Sequence, residues 1–100
     1  MKLDVEQLSI QISPLLLQRG VVFAGLFGSR AKKLEKEDSD YDLLVEFSSQ
    51  KKYTLLDLVS LKRSLEDQLH KPVDIVTTKA LHPYIKSEVL ETVIPLYDNR

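Results

Sequence analysis

Residues 26–45 decide the fold, and they read LFGSRAKKLEKEDSDYDLLV. The run that leads into this segment, Val21–Phe27, reads VVFAGLF and is short, apolar and partly β-branched. Such a run predicts a buried strand. Gly28 lets the backbone turn tightly and approach a ligand closely, and Ser29 offers a hydroxyl and an N–H group as the chain leaves the strand. The first half of the segment therefore predicts a strand followed by a ligand-binding turn.

The second half of the segment predicts another strand, which begins with acidic residues. Tyr41–Phe47 reads YDLLVEF, a composition that favours β-structure. Asp40 and Asp42 lie two positions apart, so their side chains point to the same side of a strand. Adjacent carboxylates repel each other, and burial of an unpaired charge is unfavourable. A divalent cation removes both problems, and Mg²⁺ commonly binds one or two carboxylates together with substrate phosphates.

The two halves together predict phosphoryl or nucleotidyl transfer. If residues 30–34 begin a short helix, its free N–H groups form an anion site. Arg30 has two interpretations, since it can bind phosphate in a bidentate manner or form an ion pair with Asp42 or with a helix. One element thus offers phosphate-binding donors and the other offers metal ligands, and this chemistry needs both.

Composition excludes several classes of protein. The chain has a net charge of −1, so no overall field draws it to nucleic acid or to an anionic membrane, and we expect no strong nucleic-acid binding. It contains no cysteine, which excludes disulfides, thiolate catalysis and cysteine zinc sites. We find no signal-peptide core and no apolar run long enough to span a bilayer. The expectation is one cytoplasmic domain covering residues 1–100, with no membrane contact.

The segment before the first strand predicts a helix. Apolar residues follow helical spacing over residues 4–19. Pro14 interrupts the pattern and leaves two alternatives, a kinked helix or a fresh start with Ser13 as the cap. Gly20 ends the segment, as glycine often does after a helix.

The second half of the chain predicts two more helices. Residues 54–57, TLLD, resemble a capping box at the start of a leucine-rich helix that ends near residues 70–71. In this helix residues 62–63 are interpreted as a solvated edge. Another helix begins at Pro83, and residues 91–97 predict a short extended piece or an irregular tail. This order of elements predicts an α/β or α+β fold on a small mixed sheet.

Asp74 is a third acidic candidate. It lies in the β-branched run VDIVT at Val73–Thr77, where Val73 and Ile75 face the opposite way. The strand is otherwise suited to burial, and burying one acid alone is unfavourable. A third metal-site carboxylate explains the residue, and the alternative is an acid in solvent at the start of a strand.

A Gly-Ser pair, ten residues and then Asp40-Tyr41-Asp42 resemble the signature of the DNA polymerase β-like nucleotidyltransferase superfamily. LFGSRA…SDYDLLV is most similar to its smallest members, the minimal nucleotidyltransferases (MNT). The resemblance extends over most of the chain. It implies the nucleotidyltransferase fold, a small mixed sheet of about three to four strands flanked by helices, with the site at one edge of the sheet. Lys33 stands where the family commonly has glycine, which implies a different loop shape here.

The resemblance also implies an activity, cofactors and a partner. Many family members of this size are antitoxins paired with HEPN-domain toxins, and some transfer AMP to the toxin. It therefore implies Mg²⁺-dependent transfer of AMP from ATP to a hydroxyl of a HEPN toxin, in a type VII-like toxin–antitoxin pair. The residues implied to bind the nucleotide are Gly28, Ser29 and Arg30. The residues implied to be catalytic and to bind two Mg²⁺ ions are Asp40, Asp42 and Asp74.

Two other functions stay open. The chain could neutralise a toxin by binding alone, with a weak or vestigial site, or it could be a nucleotide-binding regulatory domain without turnover. The small core and the apolar tail VIPLY at residues 93–97 predict that the chain works in a complex. The partner is then a HEPN protein or a second copy of the chain.

Overall fold

The computed structural model describes residues 5–27, 41–50 and 52–100. This part of the chain contains the helices α1 (Val5–Gln18), α2 (Leu55–Leu69) and α3 (Pro83–Thr92), with a 3-10 turn at Thr78–Ala80. Its strands are β1 (Val21–Phe27), β2 (Tyr41–Phe47), β3 (Val73–Thr77) and β4 (Ile94–Asp98). None of the helices within these ranges has both the length and the apolar character needed to cross a membrane.

The four strands form one mixed sheet in the order β3-β2-β1-β4. β1 pairs antiparallel with β2 and β4, whereas β2 and β3 are parallel. A parallel pair needs a crossover connection, and α2 provides it between β2 and β3. The predicted α/β fold on a small mixed sheet is confirmed. Of the two alternatives for the tail, the extended one is observed, because residues 94–98 form a strand of this sheet.

α1 continues through Pro14 as a single helix. Pro14 and Ile10 both lie on the exposed side, so the hydrogen bond that proline cannot make is missing where water is accessible. The hydroxyl of Ser13 donates to the Ser9 carbonyl at 2.5 Å within the helix instead of capping a new one. The fresh start at Ser13 is therefore not observed. Gly20 follows the helix with a φ of 79°, a left-handed conformation that favours glycine.

The sheet separates two apolar layers. The larger layer packs against α1 and α2, and its buried side chains are Leu8, Ile12, Leu16, Val21, Ala24, Leu26, Leu43, Val45, Phe47, Leu61, Leu65, Val73 and Leu96. The smaller layer lies on the opposite face, where Val89 and Val93 pack against buried Phe23, Leu44 and Leu81. Because side chains alternate along a strand, Asp42 lies on the same face as Leu44.

α2 begins and ends as its sequence predicts. The hydroxyl of Thr54 accepts from the Asp57 N–H at 3.4 Å, while the Asp57 carboxylate accepts from the Thr54 N–H at 2.7 Å. This is the predicted capping box. The helix ends at His70, whose φ of 57° places it in the left-handed region, and its N–H donates to the Glu66 carbonyl at 2.8 Å. Both ends are fixed by local hydrogen bonds, which is why a short motif predicts them.

Candidate functional site

The structure describes two of the six predicted site residues, Asp42 and Asp74. The other four, together with Lys33 and the short helix predicted for residues 30–34, lie outside the described residues. Those four are Gly28, Ser29, Arg30 and Asp40. The sequence alone relates them to the described part, since Gly28 follows the last residue of β1 and Asp40 precedes the first residue of β2.

Asp42 and Asp74 lie side by side on neighbouring parallel strands. They are register partners in the pairing of β2 with β3, so their side chains project from the same face of the sheet, with the strands about 4.8 Å apart. The register is continued by the Tyr41 N–H, which donates to the Pro72 carbonyl at 3.0 Å. The structure therefore brings together two acids that the sequence places 32 positions apart.

The end of β1 lies beside Asp42. Phe27, the last residue of β1, is the register partner of Asp42 in the antiparallel pairing of β1 with β2. The predicted phosphate-binding turn begins with the next residue, Gly28. Phe27, the residue before the predicted turn, and the carboxylates of Asp42 and Asp74 are thus at the same end of the sheet.

The burial argument for Asp74 is wrong. Its side chain is 60% exposed, and its Oδ1 lies 3.8 Å from the ammonium nitrogen of Lys62. β3 is the outer strand of the described sheet beyond β2, and Asp74, near the start of this strand, is exposed at its free edge. Asp42, on the inner strand, is half-buried. The pairing with Asp42, rather than burial, is what now distinguishes Asp74 from an ordinary surface acid.

Lys62 is a further candidate site residue, which the sequence analysis did not single out. It lies at a solvated edge of α2 as predicted, with 44% of its side chain exposed, and it also faces Asp74. The available signal was its position on the helix, four residues after Leu58 and three before the buried Leu65. A lysine at the border of an apolar face extends its stem along that face and its charge beyond it. The apolar pattern of α2 does not show which strand lies opposite Lys62, so the sequence could not identify Asp74 as its partner.

An open cavity of about 440 Å³ lies over these charges, between the first half of α2 and the strands. Its polar lining is Asp42, Lys62 and Asp74. Its aliphatic lining is Leu55, Leu58, Val59, Ile75 and Val76. Volumes in the range of roughly 300–1,000 Å³ are typical of ligand sites. The cavity combines an acidic rim with an apolar wall, which suits a ligand that carries both a charged and an apolar part.

Glu66 connects α2 to the start of β3. Its carboxylate accepts a hydrogen bond from the Val73 N–H at 3.0 Å. Its carbonyl accepts from the N–H of His70 at the helix end. The same residue therefore fixes where α2 ends and where β3 begins, and Asp74 follows directly on the anchored Val73.

The donor chemistry of the site fits Mg²⁺, although no complete metal site lies within the described residues. No group of three His, Cys, Asp or Glu side chains in residues 5–27, 41–50 and 52–100 is arranged to hold a metal ion. Asp42 and Asp74 supply two carboxylates in register, and hard oxygen ligands of this kind suit Mg²⁺. Asp40, the predicted third carboxylate, lies outside the described residues. The pair can thus contribute two ligands.

Comparison with known proteins relates this chain to nucleotidyltransferases. The family model described as polymerase beta, nucleotidyltransferase matches residues 11–100. A Methanocaldococcus jannaschii chain, provisionally named a protein adenylyltransferase, is 42% identical over 92 residues, which cover 92% of this chain and 97% of that one. A Thermococcus cleftensis chain named protein adenylyltransferase MntA is 39% identical over 75 residues, covering 75% of this chain and 74% of that one.

Solved structures give the same relation. A structure provisionally described as a minimal nucleotidyltransferase superposes with a TM-score of 0.77 at 40% identity, covering 93% of this chain and 96% of that one. A chain from a complex of the tri-AMPylated Shewanella oneidensis HEPN toxin with MNT antitoxin superposes with a TM-score of 0.71. It is 18% identical, with coverage of 95% of this chain and 73% of that one, so this second similarity establishes the fold alone.

Proposed function

This chain belongs to the polymerase β nucleotidyltransferase family, and from that premise we propose that it transfers AMP from ATP to a hydroxyl group of a HEPN-domain toxin. The transfer inactivates the toxin, so the chain acts as its antitoxin. The observation that carries the proposal is the in-register pair Asp42 and Asp74 on the rim of an open cavity. The names of its relatives, which are adenylyltransferases, support the choice of AMP.

Each site residue has a role in this proposal. The residues that hold the phosphates of ATP are Gly28, Ser29 and Arg30. The residues that would hold two Mg²⁺ ions are Asp40, Asp42 and Asp74. Bound Mg²⁺ would neutralise phosphate charge and lower the pKa of the attacking hydroxyl. Positioning and charge neutralisation carry most of such a reaction, so no histidine is needed at the site.

The reaction joins the acceptor oxygen to the α-phosphorus of ATP. The bond between the α-phosphorus and the bridging oxygen of the β-phosphate breaks, the hydroxyl proton is released, and pyrophosphate leaves. Asp74 is the more exposed of the two described acids and lies on the outer strand. This exposure supports an acceptor as large as a protein segment, which has to approach the site from solvent.

A HEPN-domain protein is the proposed partner. The support is the shared fold with a chain from a complex of an AMPylated HEPN toxin and MNT antitoxin. Exposed aliphatic side chains on the first half of α2, Leu55 at 75% and Leu56 at 79%, add apolar surface next to the cavity. We propose the cytoplasm as the location, because ATP, the proposed donor, is available there.

The test uses ATP labelled on the α-phosphate and the HEPN protein encoded beside this chain. We expect label to move to the HEPN protein only when Mg²⁺ is present, and no transfer from ATP labelled on the γ-phosphate. Asp42→Asn and Asp74→Asn keep size and oxygen but remove charge, so each should lower transfer by orders of magnitude. Ser29→Ala should lose less, because backbone N–H groups still bind phosphate. Asp67→Asn, the same change at an exposed acid of α2 away from the cavity, is the control.

Toxin neutralisation in cells separates an enzyme from a binder. An enzyme requires that Asp42→Asn fails to protect cells against the toxin while Asp67→Asn protects fully. A folded Asp42→Asn variant that protects at full strength would end the proposal that transfer is how this protein works. Binding of the partner without transfer would then assign the chain to the class of steric antitoxins.

A further inference from the structure

Within the described residues, Lys62 places a positive charge beside Asp74, one of the two carboxylates of the pair. Its ammonium nitrogen lies 3.8 Å from Asp74 Oδ1, and both residues line the cavity together with Asp42. The separation is longer than a hydrogen bond, so the contact is an ion pair with no fixed geometry. Both side chains keep water contact, with 44% of Lys62 and 60% of Asp74 exposed. The lysine can therefore leave the carboxylate without being buried or clashing with the core.

We propose that Lys62 is a tethered counter-ion of the Asp42 and Asp74 pair, which a divalent cation displaces when it binds. The inference rests on the metal site of the proposed function. Without a cation, two carboxylates in register repel each other, and the lysine charge offsets part of that repulsion. A divalent cation would supply positive charge in place of the ammonium group, and the ammonium group would repel it.

A flexible lysine suits this role. The ammonium group is a compact charge on a four-carbon stem, whereas arginine binds carboxylate as a rigid bidentate fork. Leu58, one helical turn earlier on α2, lines the same cavity wall. The lysine stem can therefore pack on an apolar surface both when the ammonium group is at Asp74 and when it is displaced. Lys62 is thus a positioning residue, which acts on the cation through the carboxylates.

Two effects of opposite sign follow from removing the lysine charge. The empty protein should lose stability, because the carboxylate pair loses its counter-ion. Cation binding should become tighter, because the competitor is gone. A lysine with only a structural role would lower stability without strengthening cation binding, so the two effects together are the signature of the proposed role.

The test measures binding of Mn²⁺ alone, without nucleotide or partner, by electron paramagnetic resonance on the full chain. We expect Lys62→Gln to bind Mn²⁺ about two- to fivefold more tightly than the parent, which is the upper part of the range that exposed ion pairs cover. Its thermal midpoint without metal should be lower. Arg63→Gln, the same change of charge at the next and exposed residue, is the matched control and should bind Mn²⁺ less than twofold differently. Lys62→Arg keeps the charge and should bind no more tightly than the parent.

The result that overturns the inference is a Lys62→Gln variant that binds Mn²⁺ no more tightly than Arg63→Gln. If the glutamine variant does not fold, Lys62→Met keeps the length of the stem and answers the same question. In an Asp74→Asn background the effect of Lys62→Gln on the thermal midpoint should shrink, and an unchanged effect would equally contradict the ion pair. If the Mn²⁺ results are as expected but no AMP is transferred, the proposed function is wrong. The proposed role of Lys62 would still be supported.

Discussion

Replacement of Gly25 by alanine should destabilise the fold, because β4 leaves no room for a methyl group beside β1. A Cβ at this position would lie 2.6 Å from Val93 Cγ2 and 3.0 Å from the Ile94 carbonyl oxygen. The first distance is shorter than real Cβ contacts allow, and the second involves backbone of the paired strand. The clash therefore cannot be relieved by a rotamer change of one long side chain, and the junction between α3 and β4 has to move.

The expected magnitude follows from two opposing terms. Overpacking costs about 1–3 kcal/mol, whereas alanine in place of glycine recovers roughly 0.4–1 kcal/mol through the unfolded chain. The central values, about 2 and about 0.7 kcal/mol, give a net loss of about 1.3 kcal/mol. In a domain of this length it lowers the thermal midpoint by roughly 5–10 °C. Differential scanning calorimetry on the Gly25→Ala variant and the parent measures it directly.

A second variant identifies the cause of the loss. Val93→Ala removes Cγ2, the nearer of the two atoms, so Gly25→Ala should cost less in that background than in the parent. The Ile94 carbonyl remains, so the recovery should be partial. A Gly25→Ala variant as stable as the parent would refute the reasoning, and so would a loss of the same size with and without Val93→Ala.

Three further changes test the fold and its charges. Asp57→Ala removes one side of the capping box and should cost about 1 kcal/mol, measured by urea unfolding. Leu65→Ala empties a fully buried position in the larger layer and should cost about 2–5 kcal/mol in the same assay. Arg100 hydrogen-bonds the Asp98 carboxylate and holds its pKa below the ordinary 3.8. A lowered pKa stabilises the fold above that pH and ceases to do so as the pH falls through the lowered value. The difference in thermal midpoint between the parent and Arg100→Gln should therefore be present at pH 7 and shrink below about pH 3.8.

Local sequence patterns predicted the elements whose ends are fixed by local hydrogen bonds. The capping box at Thr54 and the left-handed end at His70 both involve residues within one helical turn. The strand at residues 41–47 follows from alternation and composition in the same way. His82 is a further example, because its ring nitrogen accepts the Tyr84 N–H at 3.2 Å and caps α3, which a His-Pro pair before a helix allows.

The structure of the tail, residues 91–97, was ambiguous in the sequence because it depends on pairing with the distant strand β1. Pro95 cannot donate to a strand ladder, so the sequence alone did not separate a strand from an irregular piece. In the fold Pro95 is the register partner of Gly25, and β4 pairs with β1 alone among the described strands. Leu96 is buried in the larger layer. The tail therefore contributes to the core, and its apolar character gives no support for a partner.

The candidate site depends on long-range pairing, which explains what the sequence could and could not provide. The acid types and the D-x-D spacing were visible in the sequence. The contact of Asp42 with the strand of Asp74 exists only because α2 returns the chain parallel to β2.

α2 does more for the site than connect two strands. Through Glu66 it fixes the N–H of Val73, the residue before Asp74, and through Lys62 it directs a positive charge at the Asp74 carboxylate. The two contacts lie one helical turn apart on the same helix, so they cannot shift independently. The crossover helix therefore fixes the position of the acid on the outer strand and places a positive charge beside it. The candidate site is thus an assembly of two strands and a helix, rather than a property of the D-x-D motif alone.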